Sequence, residues 1–310
     1  MKFAKSSLFL ALFGGLSFSA LADVDVYGKA NVTVQSSDDG EGSFTEIKSN
    51  NSRFGLKGSE KISEGLEAVY KFEFGVDVSD ADSKGDNDDN ITARNQYVGV
   101  KGSFGQVVIG RNDTAMKQSQ GKVDLFNDLE GDIKNAFKGE NRLGDTISYA
   151  SKDFSGFKVL ATYVAEDDVD ADNGYSVALT YGDAKLKESK LYASVAADSE
   201  VKGYDIVRAT VQGKLGDFKL GAMYQTQEKV DGSAEADGYL VNAAYQMNSN
   251  TFKVQYQVID FDEGDKKTAI SAGVDHKLNK NTKVFGFYST FDTDNQVDQD
   301  YLGVGIEYKF

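Results

Sequence analysis

For most of its length the chain alternates. From residue 24 onward, segments of roughly ten residues place apolar side chains at every second position, the period of a strand with one greasy and one wet face. In 24–34, Val24, Val26, Gly28, Ala30, Val32 and Val34 alternate with Asp25, Tyr27, Lys29, Asn31 and Thr33. In 66–76, Ala68, Tyr70, Phe72, Phe74 and Val76 alternate with Glu67, Lys71 and Glu73. Further segments fall at 52–60, 94–101, 106–110, 142–150, 157–165, 175–181, 186–196, 204–215, 218–227, 239–247, 251–260, 268–278, 283–291 and 301–310. The connections alternate as well. Short ones at 61–65, 102–105, 151–156, 182–185, 216–217, 248–250 and 279–282 trade places with long ones rich in Asp, Gly, Ser and Asn at 77–90, 166–173, 198–202, 228–237, 261–267 and 292–300. Short turns at one end and long loops at the other predict an up-and-down antiparallel meander of about sixteen strands.

One stretch breaks the rhythm. Between 110 and 142 the alternation stops for about thirty residues, and connections of that length are usually functional or disordered. This one has something to pack with: Val123, Phe126, Leu129, Ile133 and Phe137 recur at steps of three and four. Asp124, Asp128 and Asp132 recur at steps of four, which on a helix sets them well away from the apolar stripe. Gly131 weakens a helix, so one or two turns are expected instead of a rod.

Composition narrows the setting. Residues 1–22 carry Lys2 and Lys5, an apolar run over 8–18 and a small-x-small Ala20-Leu21-Ala22, which reads as a secretory signal peptide with the mature chain, 23–310, as one domain. The apolar run is too short for a spanning helix, which needs about 20 residues. There is no cysteine, tryptophan or proline, and His276 is the only histidine. Metal sites built from Cys and His are therefore excluded, a Ser-His-Asp triad has no persuasive partner for His276, and neither a cofactor nor an enzymatic activity is expected. The formal charge is −15 and becomes two units more negative without the leader. Nucleic-acid binding, which needs basic patches, is not expected, whereas an attraction for cations is. The acidic loop at 77–90 lacks the regular spacing of a calcium loop.

Two architectures fit an apolar face along every segment: a soluble sandwich or solenoid with that face inside, or a membrane barrel with it against lipid. The barrel explains more. Export, a meander of this size and aromatic residues near strand ends (Tyr149, Phe157, Tyr163, Tyr181, Phe218, Tyr224, Tyr245 and Phe252) suit an outer-membrane barrel with interfacial girdles. Closure also removes edge strands in a chain with no proline to block them. In the final segment Leu302, Val304, Ile306, Tyr308 and Phe310 share one face.

Six short stretches carry a resemblance: DVYGKA at 25–30, SRFGLKG at 52–58, RNQYVGVK at 94–101, GSFG at 102–105, GRN at 110–112 and YKF at 308–310. In this order, after a signal peptide, they make the chain similar to Gram-negative general diffusion porins over essentially its whole length. The resemblance implies an all-β fold, a sixteen-stranded antiparallel transmembrane β-barrel whose third long loop, here 111–141, folds into the lumen. It implies a homotrimer in the outer membrane, surrounded by lipid and lipopolysaccharide, that passes small hydrophilic solutes and ions. It also implies a pore narrowed between loop acids and a basic wall. Lys29, Arg53 and Arg94 lie on the polar faces of their strands, and Arg142 opens the strand after the loop. Asp124, Asp128, Glu130 and Asp132 are the candidate acids. Opposed charges on facing walls orient polar solutes, and charged rings set ion preference. Passive diffusion with mild cation selectivity is the expected function. The alternative is a substrate-specific porin, for example for oligosaccharides, although the aromatic track that stacks sugars has no tryptophan to build it.

Overall fold

A computed structural model describes residues 23–79, 90–166 and 172–310. The signal peptide expected at 1–22 and most of the acidic loop at 77–90 lie outside the described residues. The strands are β1 (Asp23–Asp38), β2 (Ser43–Ser49), β3 (Arg53–Ser63), β4 (Leu66–Val76), β5 (Ile91–Gly102), β6 (Gly105–Asp113), β7 (Arg142–Ala150), β8 (Phe157–Val164) and β9 (Gly174–Gly182). They continue with β10 (Leu191–Val201), β11 (Tyr204–Leu215), β12 (Phe218–Lys229), β13 (Ala236–Met247), β14 (Asn250–Phe261), β15 (Lys267–Lys277), β16 (Thr282–Thr293) and β17 (Gln299–Lys309). Every neighbour pair is antiparallel, and β1 pairs with β17, so the sheet closes on itself. Both β2 and β3 pair with β1 and form two halves of one stave, so the seventeen segments make a sixteen-stranded barrel.

The faces are inverted relative to a soluble protein. Along β9, Tyr175, Val177, Leu179 and Tyr181 are exposed while Ser176, Ala178 and Thr180 are buried. Along β14, Phe252 and Val254 are exposed while Lys253, Gln255 and Gln257 are buried. Only lipid makes such an exterior favourable, and a closed sheet is what pairs the backbone of spanning strands there. The sandwich alternative, with its apolar face enclosed, is ruled out. Cross-strand register sorts exterior aromatics into two belts. Phe157 faces Tyr181, and Phe218 faces Tyr245, near the short turns. Tyr163 faces Tyr175, and Tyr224 faces Tyr239, six residues further along each strand, about 20 Å of strand.

Three irregularities sit side by side on one wall. Between β2 and β3 the ladder breaks at 50–52, where the Ser52 hydroxyl accepts from Asn31 N at 2.9 Å and Asn51 takes a left-handed φ of 53°. The β4–β5 register slips between Phe72 and Phe74, leaving Glu73 opposite both Arg94 and Asn95. The β6–β7 register slips between Gly110 and Asn112, opposite Gly144 and Asp145. Bulges of this kind re-aim side chains and recur beside functional sites. Here they turn Asn51 and Arg94 toward a common gap.

One strand boundary differs from the sequence expectation. The segment expected at 186–196 is β10 at Leu191–Val201, and the long loop expected at 198–202 is a two-residue turn. The cause is Asp183. Its carboxylate accepts from Lys185 N and Lys187 N at 2.8 Å each and from Glu188 N at 3.2 Å. That local closure competes with the sheet ladder despite the alternating Lys-Leu-Lys pattern.

Candidate functional site

The long connection between β6 and β7 crosses the interior of the barrel. Its base is closed by Thr114 N donating to Asn141 O at 3.1 Å. Thr114 also caps a short helix, α1 (Ala115–Ser119), and Asp132 caps a single 3-10 turn, Ile133–Asn135. The rest is irregular, so no helix carries the expected stripe. The apolar residues still act as one face: Val123, Phe126, Ile133 and Phe137 are at most 1 % exposed, and Leu129 is 9 % exposed.

They pack on the inner wall in three patches. Val123, Ile133 and Phe137 meet Met223, Leu240 and Ile259. Phe126 and Leu129 meet Phe285 and Phe287. Ala115 and Met116, which the sequence reading left out, meet Ala178, Ala196 and Ile206. Each fully buried side chain of this size contributes about 1.5–3 kcal/mol, which is what holds an irregular segment in a wet lumen.

The loop backbone is satisfied by wall amides. Lys122 N donates to Gln212 at 2.8 Å, Leu125 N to Gln255 at 2.9 Å and Lys138 N to Gln227 at 3.0 Å. Gln255 and Gln257 both donate to Gly131 O, at 3.0 and 2.8 Å. Gly131 is required by proximity, since a Cβ there would sit 2.2 Å from the Ser271 hydroxyl. At the far end Arg208 is wholly enclosed. It donates to Glu140 at 2.6 Å, to Gln225 at 2.7 Å and to Lys138 O at 2.8 Å. Burial pushes the Glu140 carboxyl up, and the adjacent Arg208 charge offsets this only in part.

Packed against β9–β16, the loop faces the bulged wall of β1–β7 across a gap of about 590 Å³. Asp128 stands at its centre, with a left-handed φ of 72°. Its carboxylate accepts from Lys29 at 2.5 Å and Asn51 at 2.8 Å, with Arg53 at 3.7 Å. Burial alone would raise this carboxyl, but Lys29, Arg53 and Arg94 outweigh burial and hold it below the usual range. Arg94 donates to Glu73 at 2.8 Å and to Asn51 at 3.0 Å. Arg142 donates to Asn95 at 2.7 Å and pairs with Asp113 at 3.0 Å. Thus Arg53, Arg94, Arg142 and Asp128 border the gap, and Lys29 reaches it through Asp128.

The other three acids are placed differently. Asp124 is buried and faces no passage. It accepts from Phe126 N at 2.9 Å, Ile133 N at 3.1 Å and Gln255 at 3.1 Å, stapling the loop. Burial first, then the charge of Asp132, pushes its carboxyl up. Without a helix there is no opposite face for it to occupy. Asp132 borders the gap but accepts from Lys134 N at 3.0 Å and Asp128 N at 2.9 Å. Glu130 points to another part of the wall, where it pairs with Lys48 and accepts from Gln35 at 3.0 Å.

The sequence reading also missed Glu73 and Asp113 on the wall and Lys117, Lys122 and Lys134 on the loop. Among the described residues bordering the gap there are six cationic side chains and four acidic ones. The expected division into an acidic loop and a basic wall is therefore incomplete, and the local balance opposes that of the chain as a whole.

A family model described as Gram-negative porin matches residues 7–296. The chain is 23% identical to the major outer membrane protein P.IB of Neisseria meningitidis serogroup B, over 99% of this chain and 100% of that protein. Among solved structures, an anion-selective porin from Comamonas acidovorans superposes with a TM-score of 0.79 at 21% identity, covering 94% of this chain and 100% of that one. OmpT of Vibrio cholerae in its trimer form superposes with a TM-score of 0.71 at 16% identity, covering 94% and 100%.

Proposed function

The chain belongs to the Gram-negative porin family and resides in the outer membrane, and from that premise we propose that it forms a water-filled channel for passive diffusion of small hydrophilic solutes and ions. The observation that carries this reading is the loop pinned across the lumen, which leaves a polar gap of about 590 Å³ bordered by charges on both sides. A solute passing it exchanges bulk water for fixed, opposed dipoles, which penalises apolar molecules. Lys29, Arg53, Arg94 and Arg142 form the basic side of the constriction, with Asp128 and Asp132 the acids of the loop. Residues 1–22 act as a cleaved export signal.

The ion preference favours anions. The sequence expectation of mild cation selectivity rested on the total charge, but selectivity is set where the passage is narrow and charges cannot be screened by bulk salt. There the cations outnumber the acids. The Comamonas acidovorans porin is described as anion-selective, in keeping with this preference. A homotrimer, set in lipid and lipopolysaccharide, is favoured by the trimeric Vibrio cholerae neighbour. It is also favoured by a shallow apolar groove of Val32, Val34, Val304 and Ile306 on the outer face across the β1–β17 seam. An oligosaccharide-specific channel has less support, because Phe126 and Phe137 are buried against the wall and offer no stacking surface.

The test is the reversal potential of reconstituted channels in asymmetric potassium chloride. Anion-over-cation permeability above one is expected, and added maltose oligomers should produce no saturable block. Cation preference would overturn the selectivity, and an absence of conductance would overturn the channel.

A further inference from the structure

The connection between β9 and β10 is out of proportion to its end of the barrel. Other short-end turns have two to six residues, whereas this one, 183–190, has eight. It does not trail into the periplasm. Leu186 is buried at 6 % exposure although its φ is 54°, so packing holds the residue in a conformation that a leucine rarely adopts. Ala184 borders the same gap as Arg53, Arg94 and Asp128. Below it lies a second polar cavity of about 740 Å³, between Gln118 of the loop, Tyr192 of the wall and the turn itself, where Lys158, Lys185 and Lys187 stand among Asp153, Asp183 and Glu188. The charge at Lys122 reports the same proximity. Burial pushes its ammonium down, Asp128 pulls it up, and Arg53 and Lys185 push it further down. The Asp183 carboxylate, bound by three backbone N–H groups, fixes the turn in this place.

We propose that the turn at 183–190 is a second filter in series with the constriction loop, narrowing the periplasmic half of the passage and placing Lys185 beside Lys122 as the next cationic station for small polar anions leaving the gap. Two stations at successive depths lower the barrier between binding at the gap and release, because conduction needs sites that attract an ion without trapping it.

The proposal rests on the channel reading, and its test separates the two. The chain has no cysteine, so a single Ala184→Cys substitution is uniquely reactive toward charged methanethiosulfonates. In reconstituted channels its modification is expected to cut single-channel current in steps. The anionic reagent should react about tenfold faster than the cationic one, as an electropositive site demands. Ser249→Cys, in the exposed turn after β13, serves as the comparison and should be modified without loss of current. Lys185→Glu should lower the anion-to-cation permeability ratio about two-fold or more at low salt and less at high salt. Modification at position 184, confirmed by mass, with unchanged current overturns the proposal. So does a wild-type permeability ratio in Lys185→Glu. If the unmodified protein does not conduct, the channel reading fails and the filter with it; if it conducts and both variants are silent, only the filter fails.

Discussion

Replacing Arg208 with methionine tests what fixes the constriction loop in place. The side chain is 0% exposed and that of its partner Glu140 is 7% exposed. Its three hydrogen bonds reach a carboxylate, the Gln225 amide and the Lys138 carbonyl. Hydrogen bonds to charged groups contribute about 1.5–3 kcal/mol each but do not add. Removing one partner of a buried pair costs about 3–5 kcal/mol, mostly because the other charge stays buried. Gln120 still donates to Glu140 at 2.8 Å, so the lower end, about 3 kcal/mol, is expected. That multiplies local undocking of the loop by roughly two orders of magnitude without unfolding the barrel, because the backbone pairing of position 208 with Ala196 and Gln225 is kept.

Two measurements read this out: the frequency of brief high-conductance excursions in single-channel records, and the midpoint of the heat-induced electrophoretic shift. Arg208→Met should raise the first and leave the second nearly unchanged. Arg208→Met with Glu140→Met should return excursions toward wild type, since an apolar pair removes the stranded charge. Acidity should also rescue the single variant. The folded carboxyl of Glu140 is raised above its unfolded value, so the folded state holds the proton more tightly. Docking therefore strengthens as pH falls through the raised folded pKa toward the unfolded one, and the deficit should shrink on acidification. Wild-type excursion frequency in Arg208→Met, or a double variant as noisy as the single, would refute this reasoning.

Other expectations concern the gap itself and the apolar face of the loop. Asp128→Asn removes the acid between Lys29 and Arg53 and should raise the anion-to-cation permeability ratio, measured as reversal potential. Because the Asp128 carboxyl is held below the usual range, its contribution persists above the unfolded pKa and is lost only as pH falls through the lower folded value. The wild-type ratio should therefore rise toward that of Asp128→Asn only in strong acid. Arg94→Gln should lower the same ratio, because it removes a cation from the gap. Phe137→Ala empties a buried position against Leu240 and Ile259. It should cost the docked loop about 3–5 kcal/mol, seen as noisier current at unchanged mean selectivity.

Much of this was legible in the sequence because the barrel obeys a period of two that survives strand by strand. The side of the wall that Lys29 and Arg53 occupy followed from parity, and five apolar members of the loop, Val123, Phe126, Leu129, Ile133 and Phe137, were found by their spacing. What escaped has identifiable causes. The bulges that bring Arg94 and Asn95 together break parity and leave no local mark. Asp124 and Asp128 look equivalent by spacing, yet one closes onto loop amides and the other meets Lys29, a difference made only by the irregular path between them. Glu73 and Arg208 are ordinary polar-face residues until the loop is laid across them. The position of β10 was misplaced because side-chain capping by Asp183 outcompeted an alternating pattern. Net charge is a poor guide to the proposed selectivity because it averages loops that face bulk water with the few groups that face the gap.

The seam between β1 and β17 joins residues roughly 270 positions apart, the kind of pairing that loop-closure entropy makes slow. Until β17 arrives, the growing sheet has two bare rims and a greasy skin with no bilayer to cover it. A chain cut short before that strand would not yield a smaller conduit but a sticky ribbon. Delivery to the membrane must therefore keep the polypeptide unmade, under escort, until the final stave can lock the cylinder shut.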